Sequence, residues 1–245
     1  MRPILFLVLV MLLALPFYLW GHFAPGTGLP FGLPVSALGV VVPAALATVM
    51  MAAHKGWPAA ATLWKDLFDL RRAAPVWIAL GVLLMPVAVT LAFLIAGAPL
   101  FPLAFGSLPL MLLLYLPGAA FEELGWTGYA TRPLQARFGV VGAGLLIGVV
   151  WAAWHVIPWA IFQGHTWVWV AGQCVATILM RLIMGVIYKR GGGSLALATL
   201  FHAIYNVAFS ITPGNGAGYD PWLFSLALVG PVIVLFWKKP EIAAA

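Results

Sequence analysis

A few polar side chains interrupt the long apolar stretches of this chain, and they are the residues that could do chemistry. They are Glu122, Glu123, His155, Arg181, His202 and Asn206. An ionisable group inside lipid is costly, so each one within an apolar span is a candidate for function. A carboxylate in a partly dry cavity can act as a base towards water, and an asparagine amide can donate a hydrogen bond to an oxyanion. The chemical groups for proton abstraction and for stabilising a developing negative charge are therefore present.

The two adjacent glutamates cannot both face the same spot. Neighbouring residues of an α-helix point about 100° apart, so one glutamate can face a cavity while the other takes a structural partner. Pro117 and Gly118 precede them and indicate a kink or a new helical segment, which would place both carboxylates near a helix N-terminus. The alternative is a purely structural ion pair, which suits Glu123 better than Glu122.

His202 and Asn206 are four residues apart and therefore share one face of a helix. A histidine in a membrane bundle is often only an interhelical hydrogen-bonding group, but a histidine and an asparagine on one stripe are a stronger sign of a site. His155 follows Trp151 and Trp154, and alone it would be a weak candidate because such residues also occur in aromatic belts at the membrane interface. Three further histidines are assigned no role: His22, His54 and His165.

The composition excludes several classes of protein. Hydrophobic residues make up 64% of the 245 residues and charged residues 7%, whereas a soluble domain carries about 25% charged residues. This rules out a soluble enzyme, a disordered chain and a nucleic-acid-binding module, despite a net charge of +6. Cys174 is the single cysteine, so no intrachain disulfide can form.

The elements that carry the polar residues are predicted to be membrane spans. A spanning helix needs about 20 mostly apolar residues, which gives eight helices in an all-α, polytopic membrane bundle that forms one domain over residues 1–245. The predicted spans are 3–20, 34–54, 75–97, 102–130, 139–161, 166–188, 193–210 and 221–238. The first is predicted to be a retained anchor helix, because no signal-peptide cleavage site follows it.

Basic residues mark alternate connections between the spans. Lysine or arginine occurs before span one, between spans two and three, four and five, and six and seven, and after span eight, whereas the other connections contain neither. The positive-inside rule then places both termini in the cytoplasm. The long 58–72 connection has an amphipathic pattern and is predicted to be a helix in the cytoplasmic membrane interface.

Three motifs together resemble the CPBP family of intramembrane endopeptidases, which includes the type II CAAX prenyl proteases and the bacteriocin-processing and self-immunity proteins. Glu122-Glu123 and the residues after them resemble the first motif of that family, EExxxR. The segment from Trp151 to His155 resembles the second, an aromatic residue four positions before a histidine, and His202 to Asn206 matches the third, HxxxN. The resemblance covers residues 105–210 and implies that they form the catalytic core.

One position departs from the family pattern. The arginine of the first motif would fall at residue 127, where this chain has Thr127, so Glu123 lacks an expected partner one helical turn away. Arg132 cannot replace it, because it faces the other side of the helix. Arg181 is the only cation inside a span and lies at a depth close to that of Glu123. The sequence therefore predicts an ion pair between Glu123 and Arg181 across helices.

The resemblance implies a protease that forms no covalent intermediate. Glu122 would be the general base on water, His155 would hold or polarise that water, and His202 and Asn206 would donate hydrogen bonds to the tetrahedral oxyanion. Four further residues are expected to support this set, namely Glu123, Arg181, Trp126 and Trp151. No metal or other cofactor is expected.

Other functions fit the same residues. A zinc ion on Glu122, His155 and His202 is one alternative, although the chain has no HExxH motif. A membrane immunity or partner-binding protein without turnover is a second, and a small transporter that relays protons is a third. All polar motifs lie within residues 117–210 with no equivalent in the first half, which favours a hydrolase over a transporter with repeated halves.

Helical rise gives the expected depths of the candidates. Glu122 and His202 would lie roughly 12–14 Å above the cytoplasmic ends of their spans, and His155 roughly 22–24 Å, a mismatch of about 10 Å. The depths of Glu122 and His202 predict a cavity open to the cytoplasm, with lateral access from lipid as a further possibility, in a multi-pass protein of the bacterial inner membrane. The expected partners are the lipid bilayer and a peptide or protein substrate, and no nucleic acid.

Overall fold

The computed structural model describes residues 1–24, 26, 28, 29, 34–97, 107–212 and 218–237, and no β-strand occurs in these ranges. The helices are α1 (Pro3–Phe23), α2 (Val42–Lys55), α3 (Trp57–Lys65), α4 (Pro75–Ile95), α5 (Leu108–Glu123), α6 (Arg132–Ile157), α7 (Trp167–Arg190), α8 (Leu195–Ser210) and α9 (Pro221–Trp237). A 3₁₀ segment, Val35–Val41, precedes α2, and π-helical segments follow α5 (Leu124–Thr131) and α6 (Pro158–Phe162).

The all-α membrane bundle predicted from the sequence is confirmed. Five described segments are long and apolar enough to cross a membrane, and α8 and α9 are shorter apolar helices. The longest segment, Leu108–Phe162, breaks at Gly139, whose φ of 69° is incompatible with an α-helix, so it corresponds to predicted spans four and five. The start of span four at 102 and the end of span eight at 238 lie outside the described residues, as do Lys238 and Lys239.

The helix that carries the two glutamates does not begin or break at Pro117, contrary to expectation. α5 runs unbroken from Leu108 to Glu123 with Pro117 inside it, so the carboxylates lie at its C-terminal end. The π-helical segment begins at the next residue, and within it the Thr131 hydroxyl donates to the Trp126 carbonyl at 2.8 Å. π-Helical turns are rare and occur often at functional sites.

The connection predicted to form a helix over 58–72 is helical over a shorter range. α3 ends at Lys65, and a single 3₁₀ turn, Asp66–Phe68, follows it. Trp57 and Phe68 are 70% and 88% exposed, which suits contact with a membrane interface. Beyond this turn, side-chain hydrogen bonds from Arg71 lower the pKa of the Asp69 carboxyl and favour a bend over a further helical turn.

α7 is the central helix of the described bundle. It packs between α6 and α9 and is far more buried than α1 or α4, which leave many large apolar side chains exposed as lipid-facing helices do. A small residue allows the contact with α6, since a Cβ on Gly148 would lie 3.0 Å from the Ile178 Cα. α8 packs against α4 and α5, so the helices that carry the candidate polar residues, α5 to α8, are neighbours in the bundle.

The described basic connections meet at one end of the bundle, as the alternation of charge predicts. Ser194, between α7 and α8, donates to the carbonyl of Asp69, which lies before α4. The Arg2 amide donates to the Tyr129 hydroxyl next to the start of α6. The described residues of the connections at the opposite end include no Lys or Arg.

Candidate active site

All four residues predicted to be catalytic line one cavity of about 570 Å³. Glu122 comes from α5, His155 from α6, and His202 and Asn206 from α8, and the cavity lies among these helices and α7. Much of the remaining lining is aromatic, including Trp151, Trp159, Trp169 and Tyr205. The bundle thus brings together groups from distant parts of the sequence around a space large enough for a segment of a ligand.

Glu123 is fully buried and is occupied by hydrogen bonds. The Arg181 guanidinium donates to both carboxylate oxygens, each at 2.9 Å. The Thr127 hydroxyl donates to Oε2, and His202 Nδ1 lies 3.0 Å from Oε1. The predicted ion pair between Glu123 and Arg181 is therefore present. Its bidentate geometry and two extra hydrogen bonds supply the compensation that buried charges require.

Thr127 is itself a hydrogen-bond partner of Glu123, although it is not the arginine that the family motif has at this position. Thr127 lies one turn after Glu123 and donates into the same carboxylate, while Arg181 Nη1 is 3.3 Å from the Thr127 hydroxyl. The guanidinium of Arg181 therefore lies beside residue 127, although Arg181 belongs to α7. The same guanidinium lies 4.2 Å from the centroid of the Trp151 ring, which adds a cation–π contact.

The contact between His202 and Glu123 determines the role of each ring nitrogen. A carboxylate paired with Arg181 can only accept hydrogen bonds, so Nδ1 of His202 carries a proton and donates it. Nε2 is then the nitrogen that remains for a ligand in the cavity. It accepts a hydrogen bond when the ring is neutral and donates one when the ring is protonated.

Glu122 has a very different environment from its neighbour. Its carboxylate lines the cavity, and among the described residues its hydrogen-bond donor is the Trp151 indole, with Nε1 2.6 Å from Oε2. This leaves Oε1 for a molecule in the cavity. The two glutamates therefore occupy the two separate environments that helix geometry predicts, one inside a packed ion pair and one beside open space.

His155 lies one turn beyond Trp151 on α6. Its Nδ1 is 2.9 Å from the Trp151 carbonyl oxygen, and because a carbonyl oxygen can only accept, Nδ1 donates. The ring stacks on Trp159 with a centroid distance of 4.9 Å and an interplanar angle of 16°. These two contacts fix the plane of the imidazole, and Nε2 is its second, accepting nitrogen when the ring is neutral.

The difference in depth between His155 and the pair Glu122 and His202 is smaller in the structure than the sequence predicts. Trp151 hydrogen-bonds to Glu122, and its ring lies 5.1 Å from that of His202, so Trp151 is level with both residues. His155 is four residues further along, which is about 6 Å of helical rise rather than 10 Å. The prediction counted rise from assumed span ends, and the π-helical segment and the Gly139 break shift those ends.

Trp126 and a group of hydrogen-bonded polar side chains surround this centre. Trp126 is buried outside the cavity, where it packs edge-on against Phe6 and Trp154. The Gln173 amide donates to the Tyr205 hydroxyl at 2.7 Å and accepts from the Tyr219 hydroxyl at 3.1 Å. Sequence reasoning missed this group. The signal that could have revealed it is Gln173, because a side-chain amide inside an apolar span must find hydrogen-bond partners there.

The zinc alternative gains no support from the described side chains. Among them, no group of three or more His, Cys, Asp or Glu residues is arranged to hold a metal ion. His202 could offer only Nε2 to a metal on Glu122 and His155, because its Nδ1 is bonded to Glu123.

The lining of the cavity runs from Glu122 towards one end of the bundle. On α8 it continues from His202 to Ser210, and on α7 it runs from Met180 back to Trp169. Gln163, after α6, lines the cavity at an exposed position. Gln163 lies at the end of the bundle opposite the basic connections.

A Trp151→Phe variant should show how much the indole contributes to the site. Phenylalanine keeps a ring beside Arg181 and removes the donor to Glu122. A hydrogen bond to a charged group contributes about 1.5–3 kcal/mol, so activity that depends on Glu122 should fall roughly 10- to 100-fold in steady-state kinetics. Trp169→Phe, which makes the same change at another residue of the cavity lining, is the matched control. An equal loss in both variants would contradict a role for the indole bond.

Two similarities to known proteins accompany this geometry. The family model described as type II CAAX prenyl endopeptidase Rce1-like matches residues 103–208. A protein of Methanococcus maripaludis named CAAX prenyl protease 2 is 29% identical over 224 residues, which cover 82% of this chain and 80% of that relative. The matched family region includes Glu122, His155, His202 and Asn206.

Proposed function

Because this chain belongs to the CPBP family of CAAX-type membrane proteases, we propose that it cleaves membrane-associated proteins or peptide precursors with a water molecule activated by Glu122. The chain is a multi-pass membrane protease and therefore a hydrolase of peptide bonds. Our proposal adds the mechanism and the roles of individual residues.

The difference between the two adjacent glutamates carries this proposal. Glu123 is buried and accepts four hydrogen bonds, so it could take a proton from water only by losing its pair with Arg181. Glu122 lines the cavity and has one described donor. A carboxylate with an oxygen available beside a ligand-sized space suits general base catalysis.

A water molecule between Glu122 and His155 would be held through both of its hydrogens. Glu122 accepts one, and Nε2 of neutral His155 accepts the other, which turns an oxygen lone pair towards the substrate carbonyl carbon. When that oxygen bonds to the carbon, one proton passes to Glu122 and a tetrahedral oxyanion forms. Glu122 then gives the proton to the amine nitrogen as the C–N bond breaks, so no covalent enzyme intermediate is required.

Asn206 and His202 would stabilise the oxyanion. The Asn206 amide is a neutral donor, whereas His202 can donate from Nε2 only when its ring is protonated, because Nδ1 already donates to Glu123.

Cleavage by protein purified in detergent tests the proposed function. The substrates are a farnesylated CAAX peptide and a set of unprenylated peptide precursors, and mass spectrometry detects the new termini. Wild-type protein should cleave at least one of them, and the Glu122→Gln variant should not. Equal cleavage by the two proteins would remove Glu122 from the reaction. Proton-coupled flux in liposomes without any cleavage would favour the transporter alternative.

An Asn206→Ala variant should separate oxyanion stabilisation from substrate binding. Loss of one donor to an oxyanion lowers turnover by about 10²–10³-fold, so kcat should fall by that factor while KM changes little. The matched control is Thr177→Val, because Thr177 lines the same cavity and its hydroxyl donates to the Gln173 carbonyl of its own helix. A higher KM with an unchanged kcat would contradict the role given to Asn206.

A further inference from the structure

We infer that one water molecule is bound in a small second cavity beside the ion pair of Glu123 and Arg181, where it accepts a hydrogen bond from Nε of Arg181. This second cavity shares no lining residue with the large cavity that Glu122 lines. The inference does not depend on the proposed protease function.

The guanidinium of Arg181 has hydrogen-bond partners on one edge only. Nη1 and Nη2 donate to the two carboxylate oxygens of Glu123, and Nη1 also lies 3.3 Å from the Thr127 hydroxyl. Nε has no hydrogen-bond partner among the described residues, although Arg181 is only 2% exposed. Because a guanidinium is planar, Nε–H and the outer N–H of Nη2 point the same way and can share one acceptor. A buried charged donor without an acceptor is costly, so this edge calls for a ligand.

The second cavity adjoins this side chain and has a volume of about 10 Å³. Its lining consists of the polar residues Thr127, Thr131, Gln135 and Arg181 and of Gly144, Ile147, Met184 and Gly185. All of these residues are buried except Gln135, which is partly exposed. A volume of this size holds about one water molecule and is too small for an organic ligand.

The second cavity also offers acceptors for both hydrogens of a water molecule. The Thr131 hydroxyl donates its hydrogen to the Trp126 carbonyl, so its oxygen can only accept a further bond. The Gln135 amide nitrogen donates to the Gly185 carbonyl at 2.9 Å, and Oε1 of the same amide is a second acceptor. A water that accepts from Arg181 and donates to these two oxygens makes three hydrogen bonds, which is typical of a buried water.

The same lining disfavours other occupants. A metal cation would lie against the positive guanidinium, and an anion would face the acceptor oxygens of Thr131 and Gln135. Cavities that stay dry have apolar linings, whereas four of the side chains here are polar and one of them is charged. Water is therefore the ligand that fits these donors and acceptors.

A Gly185→Ala variant distinguishes a hydrated cavity from a dry one by the sign of its effect. The added Cβ would lie 3.5 Å from Gln135 Nε2 and 3.6 Å from Val140 Cγ1, which are ordinary van der Waals distances, so it fits and takes space from the cavity. Alanine also favours a helix over glycine, so filling a dry cavity should raise the unfolding temperature. If the methyl group displaces a water, Arg181 loses an acceptor and the temperature should instead fall by about 3 °C or more.

Gly118→Ala is the matched control for this measurement in detergent. Gly118 lies inside α5 and lines neither cavity, and its Cβ would be 3.9 Å from Val40 Cγ2. This control should keep or raise the unfolding temperature. A Gly185→Ala variant that is as stable as the wild type, or more stable, would overturn the inference.

Radiolytic footprinting detects the bound water in the wild-type protein and therefore needs no variant to fold. X-ray pulses convert bound water into hydroxyl radicals, which oxidise an adjacent methionine. Met184 lines the second cavity and is 2% exposed, whereas Met85 is 0% exposed and lines neither cavity. Mass spectrometry should show that Met184 is oxidised roughly ten-fold faster than Met85, and Gly185→Ala should remove this excess. Equal rates in the wild type, or an excess that persists in the variant, would rule out the water site.

Discussion

Replacing Glu122 by glutamine should lower the rate of peptide cleavage by about 10²–10⁴-fold and leave the fold unchanged. Glutamine has the shape of glutamate, and its amide oxygen can still accept the hydrogen bond from the Trp151 indole, which is 2.6 Å long. It cannot take a proton from water. Because the contacts that bind substrate remain, the loss should appear in kcat rather than in KM, as measured by steady-state kinetics.

Glu123→Gln is the matched control for this experiment, since it makes the same chemical change one residue away. Glu123 is paired with Arg181 and does not line the cavity, so its replacement should lower the thermal unfolding temperature in detergent. The unfolding temperature of Glu122→Gln should match that of the wild type. Retained cleavage in Glu122→Gln, or a loss that accompanies unfolding, would contradict the assignment of Glu122 as the base.

Replacing Arg181 by methionine should destabilise the protein by about 3–5 kcal/mol. Methionine retains much of the length of the arginine side chain, so the loss of packing is small. The variant loses both hydrogen bonds to Glu123 and the contact with the Thr127 hydroxyl. The carboxylate of Glu123 is then buried without its cation. The free energy of unfolding in mixed detergent micelles measures the effect, and a change below about 1 kcal/mol would contradict it.

Returning the cation to the helix of Glu123 should recover about half of that loss. In the Thr127→Arg, Arg181→Met double variant, arginine stands at the position that the family motif predicts. The guanidinium of Arg181 already lies 3.3 Å from the Thr127 hydroxyl, so an arginine at residue 127 can reach the same carboxylate. A Thr127→Met, Arg181→Met double variant is the control and should recover nothing. Recovery in the control would mean that packing, rather than charge, determines stability here.

Exchange of the two charges should rescue less than relocation of the arginine. In Glu123→Arg with Arg181→Glu, the new guanidinium would face the Thr127 hydroxyl and Nδ1 of His202, which both donate to a carboxylate in the native protein. His202 would then have to change its tautomer. The comparison of the two double variants therefore reports whether the environment of residue 123 is specific for an anion.

Scarcity of charge made part of the site predictable from the sequence. Between residues 70 and 219, Glu122 and Glu123 are the only acids, and Arg181 is the only cation inside a span. Lipid offers no partner to a charge, so the pairing of Glu123 with Arg181 followed from depth and sign alone. Helix geometry separated the two glutamates, because adjacent residues of a helix point in different directions and cannot share one environment.

By itself, the amino-acid sequence determined a membrane bundle with its polar motifs on four neighbouring helices, because apolar run length and charge distribution act through the solvent and need no packing detail. Only the tertiary structure decided that Thr127 donates to Glu123 and that Trp151 rather than His155 is level with Glu122. These features depend on how far each helix is shifted and rotated against its neighbours. That offset is set by contacts such as the close approach of α6 to α7 at Gly148 and by the π-helical segment after Glu123, which no local pattern of residues encodes.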